Sequence, residues 1–97
     1  MNEIRLDASG WKTKEDFYDV ILPALGAPQW HGRNLDALWD SINSDDLNEL
    51  RLPIHFVLVG SEAIPSDLRE HLKKFAKLIA DSQNDGQDVA LTCDPPL

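Results

Sequence analysis

The chain holds a single cysteine, Cys93, among its 97 residues, so no disulfide can close within it. That usage predicts a reducing, cytoplasmic setting. No apolar run approaches the ~18 residues that a membrane helix needs. The first seven residues, Met-Asn-Glu-Ile-Arg-Leu-Asp, alternate apolar and charged side chains, unlike a secretory signal. Base is missing from two long stretches: residues 34–50 and residues 78–97 contain neither lysine nor arginine. The net charge is −8, and the first of those stretches carries Asp36, Asp40, Asp45, Asp46 and Glu49. Nucleic acids are bound by neutralising phosphates with lysine and arginine, so a nucleic-acid partner is not expected, and neither is a membrane. An acidic surface suits a basic protein and speeds its encounter. Histidines stand at 31, 55 and 71 only. His31 lies near Asp36 and Asp40, yet no third nitrogen or sulfur completes a zinc set. No metal and no cofactor are therefore expected. Cys93 has no histidine beside it that would make it a catalytic thiol.

What is present is the composition of one folded domain spanning residues 1–97, with 42% hydrophobic and 27% charged residues. Residues 3–7 alternate with period two and predict an exposed strand. Thr13 and Asp16 have capping-box spacing, and Phe17, Val20, Ile21 and Leu25 continue as a helical stripe. Pro23 is expected to kink or end that helix. Residues 34–43 predict a second helix. Leu52 to Val59 is almost continuously apolar and predicts a central strand covered on both faces. Ser66 opens the longest helix, with Leu68, Leu72, Phe75 and Ile79 on one face, and Asn84-Asp85-Gly86 ends it. Residues 88–93 read as a last strand. The order β-α-α-β-α-β predicts an α/β layer with a short parallel sheet.

Residues 30–40, Trp-His-Gly-Arg-Asn-Leu-Asp-Ala-Leu-Trp-Asp, carry the functional signal. Asn34 is placed to cap the helix. Leu35, Leu38, Trp39 and Ile42 form its buried stripe. Asp36, Asp40 and Asn43 share another face. Two like charges one turn apart repel, and the helix dipole offsets this for Asp36 more than for Asp40. Asp40 therefore reads as a charge kept for a partner. A hydrolase using Asp36 and Asp40 as acid and base would need unequal burial. Both fall early on an exposed face, so no enzyme activity and no catalytic residues are expected. His55 reads as a core histidine in the central strand and His71 as a surface one.

The pattern aromatic-x-Gly-x-Asn-Leu-Asp-Ala-Leu-Trp-Asp resembles that of the barstar family of ribonuclease inhibitors. Trp30, Gly32, Asn34, Leu35, Asp36, Ala37, Leu38, Trp39 and Asp40 fit it. The resemblance implies a three-stranded parallel sheet in order 1-2-3 flanked by helices. It also implies an intracellular protein, monomeric when free, that binds a secreted basic ribonuclease one to one and plugs its active site. Asp40 would stand where an RNA phosphate sits, with Asp36 beside it, and Trp30 would stack on a catalytic histidine. Gly32, Asn34, Trp39 and Asn43 match further contact positions. In the family the next helix also supplies acids. Alignment on Phe75 places Lys77 and Asp81 there, and alignment on Gly86 places Asp81 and Asp85. Arg33 replaces an acid, and His31 a tyrosine. These departures leave open a second reading, an immunity or regulatory protein of the same fold directed at a different nuclease toxin.

Overall fold

A computed structural model describes residues 2–28, 32–43 and 52–97. The element order is β1 (Asn2–Asp7), α1 (Lys14–Leu25), α2 (Leu35–Asn43), β2 (Ile54–Val59), α3 (Ser66–Asn84) and β3 (Val89–Asp94). The strands form one parallel sheet in the order β1-β2-β3. Ile4 pairs with Phe56 and Phe56 with Leu91; Leu6 pairs with Leu58 and Leu58 with Cys93. Because parallel strands need crossovers, every connection passes through helix, and the helices gather the apolar stripes the sequence carries.

The core lies on one face of that sheet. Ile4, Leu6, Ile54, Phe56, Leu58 and Val89 are buried there. Phe17 of α1, Phe56 of β2 and Phe75 of α3 meet at its centre. The Phe17–Phe75 and Phe56–Phe75 ring pairs are both edge-on, with centroids 5.1 and 5.5 Å apart. α1 packs on β1, α3 on β3, and α2 on α3.

The second face of the sheet differs from the expectation. β2 alternates between buried Ile54, Phe56 and Leu58 and half-buried His55, Val57 and Val59. Its neighbours in register on that face, Glu3, Arg5 and Asp7 on one side and Thr92 and Asp94 on the other, are exposed. Valine favours a pleated strand whether or not it is fully covered, so the apolar run overstated the burial. His55 is accordingly not a core residue. Its Nε2 pairs with Thr92 Oγ1 at 2.7 Å, across two strands on the open side.

α1 also runs further than Pro23 suggested. It reaches Leu25, which is fully buried. Proline costs the helix one N–H donor near its end, whereas stopping there would take Leu25 out of the core. The helix then closes on Gly26, whose φ of 66° is the left-handed conformation that glycine adopts without strain. Gly26 N donates to Pro23 O and Ala27 N to Leu22 O, each at 3.0 Å. At the other end the Asp16 carboxylate accepts from Lys12 N at 2.7 Å and Thr13 N at 3.2 Å. Those two bonds lower its pKa. No helix among the described residues is long and apolar enough to cross a membrane.

His71, expected at the surface, is half-buried beneath α1. Its Nε2 lies 2.9 Å from the hydroxyl of fully buried Tyr18. A neutral imidazole can accept the phenol proton there, and a protonated one cannot. Burial, then the charges of Lys14 and Lys74, lowers the His71 pKa below 6.5.

Two predictions follow from this packing. Phe75→Ala should cost about 3–5 kcal/mol of unfolding free energy, read by urea titration. The second concerns pH. The unfolded chain binds a proton at His71 near pH 6.5 that the folded chain resists. Stability should thus fall as pH drops below that value, with full stability above it. The urea midpoint at successive pH values should show this loss, and His71→Gln should flatten it relative to the parent.

Candidate partner-binding helix

α2 is nine residues long, too short to be helical in isolation. Its capping and packing therefore decide where its carboxylates point. Asn34 begins it as expected: Asn34 Oδ1 accepts from Ala37 N at 2.8 Å, and the first helical bond runs from Leu38 N to Asn34 O at 3.2 Å. Gly32 lets the chain pass close beneath that first turn. A Cβ at position 32 would lie 3.0 Å from Asn34 Nδ2 and 3.1 Å from Ala37 Cβ, tighter than ordinary contact.

The inner side of α2 buries Leu38, Ser41 and Ile42, with Leu35 and Trp39 half-buried against the same core. Trp39 is thus chiefly a packing residue with part of its ring accessible. Asn43, on the outer face by sequence pattern, is half-buried between helices. Its Nδ2 donates to Trp39 O at 2.9 Å and to Ser82 Oγ of α3 at 3.1 Å. Ser82 is completely buried, so the bond both satisfies a buried hydroxyl and fastens the end of α2 to α3. The amide donors of Asn43 are engaged inside the free protein.

Asp36 and Asp40 are exposed, one helical turn apart. Among the described residues neither has a hydrogen-bond or ion-pair partner. They contrast with Asp7, whose carboxylate accepts from Ser9 Oγ at 2.7 Å and Ser9 N at 3.0 Å, and with Asp16 at its cap. On α3, Asp81 and Lys77 bind each other at 3.0 Å. Asp81 therefore sits one residue along from the Asn43–Ser82 contact with its charge opposed by a lysine, and Asp85 is an exposed C-cap. Trp30 and His31 lie outside the described residues.

One contributor to this site gave no clear signal in the sequence. Arg33 does not extend freely from the turn before α2; it binds Glu15 and Asp19 of α1. The i, i+4 spacing of those two acids was the available clue, since such a pair presents one face to a cation.

This arrangement can be set beside known proteins. The family model described as Barstar (barnase inhibitor) matches residues 1–94. The chain belongs to the barstar family. A relative from Bacillus subtilis (strain 168), named "Putative ribonuclease inhibitor YrdF", is 28% identical over 88 residues, which cover 91% of this chain and 92% of the relative. The parallel sheet in order β1-β2-β3 with its three helices is the barstar-like α/β fold the motif implied.

Removing the cap tests how far α2 depends on it. Asn34→Ala should lower stability by about 1 kcal/mol in urea unfolding, and should raise amide hydrogen exchange most in α2.

Proposed function

We propose that this barstar-family protein inhibits a basic ribonuclease by setting the outer face of α2 into the enzyme's active site, one inhibitor per enzyme. The observation that carries the reading is the pair Asp36 and Asp40: exposed, without partners among the described residues, on a helix fixed by its opposite side. A ribonuclease must offer arginine, lysine and histidine to a phosphate. A carboxylate held in place can take the same donors, including the two parallel bonds of an arginine. Holding it on a packed helix reduces the ordering cost of binding. Trp30, Gly32 and Trp39 would supply the apolar and close-packed surround of that contact, and Asp81 a second acidic position from α3. Asn34 and Asn43 would serve the interface by shaping α2, given the bonds they already make. The protein would act in the cytoplasm, sparing the cell that makes the enzyme, and would need no cofactor.

Lys77 favours the second reading, a target other than barnase, because it is the most exposed member of its ion pair at 75%. A lysine there suits a less basic enzyme surface.

Barnase, the enzyme named in the family description, is the probe. Titration against it should abolish RNA cleavage at one equivalent. Asp40→Ala should weaken binding by about 2–5 kcal/mol, mainly through faster dissociation, as expected for truncating one partner of a buried charge pair. Unchanged affinity in that variant would sink the active-site reading. Failure of the parent protein on barnase, with inhibition of a less basic nuclease toxin, would select the second target.

A further inference from the structure

Arg33 makes three hydrogen bonds to α1. Its Nε donates to Glu15 Oε2 at 2.6 Å. Its Nη2 donates to the Glu15 carbonyl at 2.9 Å and to Asp19 Oδ1 at 2.6 Å. The guanidinium carbon also stands 5.8 Å from the centre of the Tyr18 ring. Glu15 and Asp19 are one turn apart on α1 and would repel each other without it. The hydrogen bonds to Glu15 and Asp19, and then their charges, hold Arg33 above its ordinary pKa. The planar fork of arginine matches this three-bond arrangement in a way lysine cannot.

The two ends of this bridge differ in what fixes them. α1 is anchored by Phe17, Tyr18, Ile21, Leu22 and Leu25, all buried. The start of α2 has much less: Asn34 and Asp36 are exposed, and Leu35 is half-buried. A short helix with a thin hydrophobic hold must take its direction from tertiary ties. At its C-terminal end the tie is Asn43 to Ser82. At its N-terminal end it is Arg33 to α1.

We propose that Arg33 is the positioning residue of the acidic helix: bound to Glu15 and Asp19, it fixes the start of α2 so that Asp36 and Asp40 are displayed in one direction. Its charge is used within the protein and is not offered to the ribonuclease. Two carboxylates outweigh one guanidinium, so the Glu15–Asp19–Arg33 cluster keeps a net negative charge. The consequence for inhibition rests on the function proposed above. The fixing of α2 is a property of the free chain and can be measured without any enzyme.

The test compares the full-length parent with Arg33→Ala, with the double variant Glu15→Gln, Asp19→Asn, and with all three changes together. Amide exchange is followed by NMR at Leu38 to Asn43 of α2 and at Leu72 to Ile79 of α3, with urea unfolding alongside. Loss of the bridge from either side should speed exchange in α2 by roughly three- to ten-fold while the α3 amides hold. The triple variant should do no more than either parent variant, because all remove one bridge. Arg33→Lys, which keeps charge without the fork, should recover only part of the protection. Dissociation from barnase should quicken by a similar factor in Arg33→Ala and in the double variant; this rate is insensitive to long-range steering. Unchanged α2 exchange in both would overturn the proposal, as would equal acceleration in α3. So would faster dissociation in Arg33→Ala alone, which would place the guanidinium on the enzyme. If the parent fails to bind barnase, the functional reading loses that target, and the exchange data still decide the role of Arg33.

Discussion

Two carboxylates can face outward from a nine-residue helix only because everything else about that helix is held. Leu38 and Ile42 bury one side, Asn34 closes the first turn, Asn43 reaches a buried serine on α3, and Arg33 reaches α1. None of these would suffice alone. Capping and exposed ion pairs are individually weak, and the helix is below the length at which propensity stabilises it. Fastened at both ends and along one face, it presents Asp36 and Asp40 without internal partners among the described residues. Like charges at this spacing are unfavourable for the free protein. That small cost suits the proposed role, since a partner's cations would relieve it.

The rest of the fold serves this presentation. The parallel sheet and its aromatic centre, Phe17, Phe56 and Phe75, make α1 and α3 rigid enough to be docking points for α2. Polar residues are then spent where elements meet. His71 braces Tyr18 between α3 and α1, and Arg69 of α3 donates to the Ser61 carbonyl after β2 at 2.7 Å. The acidic surface is therefore laid over an ordinary core rather than built at its expense. Among the described residues, the partly open face bearing Val57 and Val59 lies away from the stripe on which α1 and α3 pack.

Membership of the barstar family and kinship with a protein named as a ribonuclease inhibitor give the chain its setting. The departures from the family pattern take on a different meaning once located. Arg33 is neutralised by its own protein, so it does not argue against a basic target. Lys77 is matched with Asp81, which reduces the acidity that α3 can contribute.

Local pattern determined most of the architecture. The caps at Asp16, Gly26 and Asn34, the stripes of α1, α2 and α3, and the order of the elements are all consequences of neighbours within a few residues, where spacing maps directly onto geometry. The exposure of Asp36 and Asp40 followed from the same periodicity. Pairings between distant residues were decided only by the tertiary structure. Asn43 turned toward Ser82, His71 toward Tyr18, His55 toward Thr92 and Arg33 toward Glu15 and Asp19. A polar side chain offers the same donors to solvent, to a partner or to another helix. Which of these it meets depends on how separate elements dock, and no spacing within one element contains that information.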